Sequence, residues 1–147
     1  MFKRILVATD GSPLSCKALD CAIGMARAHQ AELFVAHVVP RYPTSCFEGA
    51  VTFSAEEVGA AESRWAHAAQ RLLEDDAERA SAAGVKTRAV ALSGDLVAQA
   101  LLSAANKHKC DLIVMGSHGR GGIKRLLLGS EALQVLTRSR LPVLILR

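Results

Sequence analysis

A group of glycine and serine residues in the last third of the chain has the composition of a phosphate-binding loop. Two residues separate Gly116 from Gly119, and Gly129 and Ser130 follow after nine more. Glycine lets backbone N–H groups approach an anion with no Cβ in the way, and a helix N-terminus adds N–H donors and the positive end of its dipole. Because the group lies between an apolar run and a helical one, it predicts a nucleotide-binding site.

A second polar loop, Thr9 and Asp10, follows the first apolar run of the chain. Asp10 is suited to accept a hydrogen bond from a ribose hydroxyl or to hold a divalent ion between phosphates. A loop carboxylate that caps the first helix is the alternative, and the two roles are compatible. Ser130 has two interpretations as well, as a helix N-cap or as a hydroxyl that donates to phosphate.

Other polar residues give weaker signals. The glycine-rich stretch also contains His118, Arg120, Lys124 and Arg125, which would neutralise phosphates or remain solvated, and Arg120 is the strongest candidate of the four. The remaining histidines have no metal-ligand spacing, so surface or structural roles are expected of them: His29, His37, His67 and His108. The chain has neither the Gly-Lys-Ser/Thr of a P-loop nor a complete G-x-G-x-x-G, which disfavours P-loop and dinucleotide sites.

The elements that must position these loops alternate along the chain. Five apolar runs are predicted to be strands: residues 5–8, 33–36, 88–92, 112–115 and 143–146. All but the third are continuously apolar, as strands covered on both faces should be. With helices between them and right-handed crossovers, they predict an α/β fold with a parallel, doubly wound sheet and helices on both faces.

Four helices are predicted between the strands. Ser12 as N-cap and Pro13 at the first position open a helix that extends to about His29. Ser54 and Glu57 form a capping box for a long second helix that ends near Gly84, with Trp65 expected in the core. A third helix starts around Asp95 and a fourth runs from Ser130 to about Ser139.

Topology brings the two polar loops together. In open α/β sheets, ligands bind outside the carboxyl ends of the strands, where the winding direction reverses. If the strand order is 3-2-1-4-5, the loops after the first and fourth strands face each other there. Asp10 and Gly116 are more than 100 residues apart in the chain, but they would then line one crevice.

Composition limits the remaining possibilities. A length of 147 residues with 50% hydrophobic content predicts a single domain over residues 1–147. The net charge of +4 favours solubility rather than nucleic-acid binding. No apolar run approaches the length of about 18 residues that a membrane span needs.

Four cysteines without C-x2-C spacing indicate a reduced, cytosolic compartment, with Cys16 and Cys21 expected as buried, inert thiols. Residues 40–53 are expected to be a surface excursion.

The chain resembles single-domain universal stress proteins over essentially its whole length. The matching segments are residues 5–12, 111–119, 128–130 and 142–145. The resemblance implies a five-stranded parallel sheet in the order 3-2-1-4-5 and a homodimer formed through the last strand. For the ATP-binding branch it implies phosphates at the glycine group, ribose or phosphate-bound Mg²⁺ at Asp10, and adenine at the Val38 backbone. The full predicted site is Thr9, Asp10, Val38, Met115, Gly116, His118, Gly119, Arg120, Gly129, Ser130 and Glu131.

Glu131 departs from the family pattern, which usually has a small apolar residue at this position. A carboxylate in the first turn interacts favourably with the helix dipole. At about 5 Å from a phosphate, however, it would repel by about 1 kcal/mol in water and by several times more if partly buried. The affinity for ATP therefore depends on where this side chain points.

Three functions are compatible with the sequence. The first is a cytosolic, homodimeric protein that binds ATP with Mg²⁺ as a nucleotide-responsive regulator, with slow hydrolysis at most because no general base is evident. The second is a nucleotide-free dimeric interaction module of the same fold, in which Glu131 excludes triphosphate. The third is an adenine-nucleotide α-phosphate hydrolase or transferase, against which the lack of an acceptor domain counts. No nucleic-acid or membrane partner is expected.

Overall fold

A computed structural model describes residues 1–39, 54–119 and 128–147. The predictions for Arg120, Lys124, Arg125 and residues 40–53 lie outside these described residues. The elements within them are β1 (Arg4–Ala8), α1 (Pro13–His29), β2 (Glu32–Val39), α2 (Ala55–Ala82), β3 (Thr87–Ser93), α3 (Val97–Lys107), β4 (Leu112–Gly116), α4 (Ser130–Arg138) and β5 (Val143–Leu146).

The strands form one parallel sheet in the order β3-β2-β1-β4-β5. This confirms the predicted α/β fold and its strand order. The winding direction reverses at β1, which pairs with β2 on one side and with β4 on the other. The loops after β1 and β4 therefore start from neighbouring strand ends, as the nucleotide-site prediction requires.

Apolar side chains cover both faces of the sheet, which explains the continuously apolar runs. Ile5 and Val7 of β1 point to the face covered by α1 and α2, while Leu6 points to the face covered by α3 and α4. All three side chains are fully buried. The sheet is thus the middle layer of three, with its central strands buried and its edge strands β3 and β5 partly exposed.

Two helices begin as the sequence predicts. At α1, Ser12 Oγ accepts a hydrogen bond from Ser15 N–H at 3.2 Å, and Pro13 occupies the first turn. At α2, the Ser54 and Glu57 capping box is complete: Ser54 N–H donates to Glu57 Oε2 at 2.7 Å, and Glu57 N–H donates to Ser54 Oγ at 3.2 Å. These local contacts need only a few adjacent residues, so sequence is sufficient to predict them.

Helix α3 begins at Val97, two residues after the predicted start around Asp95, and its N-cap, Leu96, provides no capping side chain. Two other local predictions are wrong. The N-cap of α4 is Gly129, so Ser130 is the first helical residue and not the cap. Trp65 is 39% exposed, because the buried residues of α2 begin only at Ala69. Among the described residues, no helix has the length and apolarity of a membrane span.

Cysteine burial also differs from expectation. Cys16 and Cys21 on α1 are free thiols that are only half-buried, whereas Cys110 is buried. Burial and, to a smaller extent, the nearby Asp111 carboxylate raise the pKa of the Cys110 thiol to about 11. The thiolate that reacts with electrophiles is therefore scarce at Cys110 near neutral pH.

Alkylation with iodoacetamide at pH 8 should accordingly modify Cys16 and Cys21 in the native protein and leave Cys110 unmodified. Peptide mass spectrometry at a series of times would measure the extent at each site. Protein unfolded in guanidinium is the control, in which Cys110 should react at the same rate as the other two. Equal rates at all three sites in the native protein would contradict the burial of Cys110.

Candidate nucleotide-binding site

A cavity of about 560 Å³ opens at the carboxyl ends of the central strands. Small-molecule sites commonly have volumes of about 300–1,000 Å³, so this one has room for a nucleotide-sized ligand. Its lining comes from β1, β2, β4, α1, α3 and α4 with their connecting loops: Ala8, Thr9, Asp10, Ser15, Ala36, His37, Val38, Val97, Leu101, Met115, Gly116, His118, Gly119, Gly129, Ser130, Glu131 and Ala132.

The cavity brings together nearly all of the predicted site. Ten of the eleven residues predicted from the sequence line it, from Thr9 and Asp10 after β1 to Ser130 and Glu131 in α4. The eleventh, Arg120, lies outside the described residues. The fold therefore places in one crevice the residues that the sequence spreads over more than 100 positions.

The three glycines of the predicted phosphate loop are closely packed at the position that a Cβ would take. A Cβ on Gly129 would lie 2.9 Å from Ser117 O, and one on Gly119 would lie 2.6 Å from Asp10 Oδ2. At Gly116 it would lie 3.1 Å from Leu14 Cγ. None of the three has a positive φ, so close approach rather than backbone conformation requires glycine here. These contacts are with atoms of the protein itself, so the glycines allow the loop to pack closely against its surroundings.

Backbone hydrogen bonds tie this loop to its surroundings. Ser117 N–H donates to Leu146 O at 2.7 Å, and Gly129 N–H donates to Ser117 O at 2.6 Å. The first helical bond of α4 runs from Leu133 N–H to Gly129 O, at 2.9 Å. The N–H groups of residues 130–132 thus precede the helical ladder, and no side chain of the N-cap residue caps the helix. Such a helix start attracts anions.

Asp10 links the start of α1 to the group formed by Gly116, Gly119 and Gly129, which we call the glycine loop. Its Oδ1 accepts a hydrogen bond from Ser12 N–H at 2.9 Å, and its own N–H donates to Ser15 Oγ at 3.3 Å. Its Oδ2 lies directly against Gly119. The carboxylate therefore supports the turn that leads into α1 and also borders the cavity, which makes the two roles considered for it compatible.

Glu131 turns toward α3. Its Oε2 accepts a hydrogen bond from Ala98 N–H at 3.0 Å. Because Leu96, the N-cap of α3, provides no capping side chain, the Glu131 carboxylate supplies the cap and also interacts favourably with the helix dipole. The side chain still borders the cavity, but its charge is engaged by a neighbouring helix.

The apolar wall of the cavity was not predicted from the sequence. Ala8 and Ala36 belong to the same sheet face as the predicted residues Val38 and Met115, and their small side chains leave space beside them. Val97 and Leu101 of α3 and Ala132 of α4 complete this wall. The alternation of side chains along β1 and β2 was the signal that could have identified the two alanines.

Two polar residues near the site were also missed. His37, expected to be a surface or structural residue, lines the cavity, and its Nδ1–H donates to Thr9 O at 2.6 Å. Asp76 of α2 is buried and accepts a hydrogen bond from Thr9 Oγ1 at 2.7 Å. A polar residue at a core-facing helix position was the available signal for Asp76.

Comparisons with known proteins identify the family and the fold. A model of the Universal stress protein family matches residues 1–147. Universal stress protein YxiE from Bacillus subtilis is 36% identical, over 100% of both chains. The structure of universal stress protein UspA from Lactobacillus plantarum has a TM-score of 0.84 at 22% identity, covering 99% of this chain and 97% of that one, which shows a shared fold. A universal stress protein in complex with cAMP has a TM-score of 0.72 at 29% identity, covering 99% and 97%. This chain belongs to the universal stress protein family.

Proposed function

We propose that this protein binds ATP in the cavity between the β1 and β4 loops and acts as a nucleotide-responsive regulator in the cytoplasm. The observation that carries the proposal is the nucleotide-sized cavity at the carboxyl ends of the central strands, which is lined by Asp10, the three glycines and the start of α4. A similar universal stress protein, 29% identical, has been solved in complex with cAMP, which supports an adenine nucleotide as the ligand.

The proposed binding mode follows from the lining of the cavity. The base would lie against the apolar wall near Val38, and the ribose would lie near Asp10. The phosphates would lie at the glycine loop and at the N–H groups that open α4. Gly129 N–H already donates a hydrogen bond to Ser117 O, so Gly129 would leave space for the phosphates and would not donate to them. The N–H groups of residues 130–132 would donate the hydrogen bonds to the phosphates.

A divalent ion would bind together with the nucleotide. Among the described residues, no group of three His, Cys, Asp or Glu side chains is arranged to hold a metal. Asp10 is the one metal ligand predicted from the sequence, and its Oδ1 already accepts a hydrogen bond from Ser12. Mg²⁺ keeps several waters and commonly binds through one or two carboxylates plus phosphate oxygens. We therefore expect Mg²⁺ to require the nucleotide.

Titration calorimetry with ATP in the presence of Mg²⁺ tests the proposal. We expect saturable binding of one ATP per chain, tighter with Mg²⁺ than with EDTA, and no heat from Mg²⁺ alone. GTP is the control for recognition of the base. An absence of binding at millimolar ATP, which corresponds to a free energy weaker than about −4 kcal/mol, would overturn the proposal.

A nucleotide-free interaction module is the second candidate, and one observation favours it. The Glu131 carboxylate borders the cavity beside the start of α4, where it would oppose a triphosphate. However, its hydrogen bond to Ala98 N–H holds the Glu131 carboxylate at α3. The glycine loop and Asp10 remain in the arrangement described above. ATP binding is therefore the better supported function.

We further propose that two chains form a homodimer through β5. This strand is at one edge of the sheet, and all four of its residues are partly exposed. The neighbouring helix α4 also exposes Leu133 and Leu136, by 49% and 46%. An edge strand with unpaired backbone groups is suited to pair with a second copy. Native mass spectrometry would report the dimer mass together with any bound nucleotide.

A further inference from the structure

Thr9, the residue before Asp10, is held by three hydrogen bonds to two elements, β2 and α2. Its N–H donates to Ala36 O at 2.9 Å, and its Oγ1 donates to Asp76 Oδ2 at 2.7 Å. Its carbonyl oxygen accepts from His37 Nδ1–H at 2.6 Å. Thr9 itself is only 5% exposed. We call Thr9, His37 and Asp76 the Thr9 clamp.

Asp76 is an unusual residue for its position in α2. It is 8% exposed and lies at helical spacing from the core residues Leu73 and Ala80, which are 1% and 0% exposed. Burial raises the pKa of its carboxyl group, and the hydrogen bond from Thr9 opposes that shift. Since a buried carboxylate is unfavourable unless it is hydrogen-bonded, the hydrogen bond from Thr9 stabilises Asp76 at this position.

The clamp acts on the site through the backbone. Thr9 is followed directly by Asp10, whose carboxylate bonds Ser12 N–H and lies against Gly119. A change in the position of Thr9 would therefore move Asp10 relative to the glycine loop. No α2 residue is among the described lining of the cavity, so Asp76 would act on a ligand indirectly, and its hydrogen bond to Thr9 is the contact that leads to Asp10.

We propose that Asp76 and His37 are positioning residues of the nucleotide site, which hold Thr9 so that Asp10 faces the glycine loop. The inference rests on the proposed function, because it assigns Asp10 to the ligand. It makes α2 part of the site without contact between α2 and the nucleotide. The role requires a hydrogen-bond acceptor at residue 76, and it does not require a charge there.

Four variants separate positioning from general stability. Thr9→Val removes the hydroxyl at nearly constant shape, and Asp76→Ala removes its acceptor. Asp76→Asn keeps an amide oxygen that accepts from Thr9. Leu73→Ala is the matched control, because it opens a cavity one helical turn away in α2 and leaves the clamp intact.

Titration calorimetry with ATP and Mg²⁺, at a temperature well below the lowest melting temperature of the four variants, should divide the variants into two groups. Thr9→Val and Asp76→Ala should weaken binding about tenfold, the scale of a lost buried hydrogen bond. Asp76→Asn and Leu73→Ala should stay within about twofold of the original protein. The inference is overturned if Thr9→Val and Asp76→Ala bind normally, if Asp76→Asn binds as weakly as Asp76→Ala, or if Leu73→Ala weakens binding equally.

A measurement without nucleotide keeps the inference separate from the proposed function. Amide hydrogen exchange over residues 10–15, which include the bonded Asp10 and Ser12 N–H groups, should accelerate in Thr9→Val and Asp76→Ala but not in Asp76→Asn. If the original protein does not bind ATP, the proposed function fails, while the exchange rates still decide whether the clamp holds this loop. If Thr9→Val does not fold, the comparison of Asp76→Ala with Asp76→Asn decides the question. Unchanged exchange in Asp76→Ala would overturn the clamp.

Discussion

Gly129→Ala is expected to weaken ATP binding at least about tenfold, which corresponds to about 1.4 kcal/mol. The new Cβ would lie 2.9 Å from Ser117 O, a distance that real Cβ contacts essentially never show. Ser117 O is a backbone atom in a loop anchored by the bond from Ser117 N–H to Leu146 O, at 2.7 Å. The clash can therefore be relieved only by moving the glycine loop away from the start of α4. That movement separates the two halves of the proposed phosphate site.

Gly24→Ala is the matched control for this substitution. Gly24 lies inside α1, and a Cβ there would have no atom within 4 Å. Alanine in a helix interior is more favourable than glycine by about 1 kcal/mol, so this variant should gain stability and bind ATP normally. Calorimetry and thermal melts would measure both variants side by side. Equal ATP affinity for Gly129→Ala and Gly24→Ala would show that the glycine loop does not contact the ligand.

Gly119→Ala should have a smaller effect on the fold. The atom that its Cβ would meet is Asp10 Oδ2, at 2.6 Å, and a side-chain carboxylate can rotate where a backbone carbonyl cannot. Rotation would nevertheless displace Asp10 from its bond with Ser12 N–H. Binding should therefore weaken while the melting temperature changes little. The two alanine variants together would distinguish the contribution of the loop backbone from that of the carboxylate.

Glu131→Gln is expected to strengthen ATP binding several-fold and to leave stability nearly unchanged. The amide oxygen of glutamine can still accept from Ala98 N–H, the bond that Glu131 makes at 3.0 Å. Removing the charge removes a repulsion of about 1 kcal/mol in water from a nearby phosphate. Because AMP carries fewer charges than ATP, its affinity should rise less. Calorimetry with both nucleotides would measure the difference.

Glu131→Val should produce the same gain in ATP affinity but should lower the free energy of unfolding. Valine cannot accept from Ala98 N–H, and the loss of a capping carboxylate costs about 1 kcal/mol. Denaturant unfolding would measure this, with Glu62→Gln, an exposed position in α2, as the control for net charge. If the original protein fails to bind ATP and Glu131→Val binds it, the nucleotide-free module is the correct description.

Much of the fold follows from local sequence signals. The apolar runs predicted where the strands lie. The helix cap at Ser12 and the capping box of Ser54 and Glu57 were also predictable, because each cap joins residues three positions apart in the sequence. Ser130 was misassigned as a possible cap because the true N-cap, Gly129, is packed against Ser117, twelve residues earlier. Trp65 was misassigned because only the second half of α2 packs on the sheet.

The residues of the candidate site were predictable where they belong to family motifs, and not elsewhere. The glycine group and Asp10 were found from residue type and spacing, and the cavity contains them. The direction of the Glu131 side chain depends on α3, whose Ala98 lies 33 residues away in sequence. The contact of Asp76 with Thr9 spans 67 residues. Long-range partners of this kind are set by packing, and no local pattern specifies them.

The central claim is that an adenine nucleotide occupies the cavity lined by Asp10 and the three glycines. Native mass spectrometry of the purified protein, with ATP and Mg²⁺ added up to millimolar concentration, tests it most directly. The predicted result is a dimer that carries one ATP per chain, retained in Gly24→Ala and lost in Gly129→Ala. Protein that stays free of nucleotide at millimolar ATP, or Gly129→Ala that carries ATP as fully as Gly24→Ala, would contradict it.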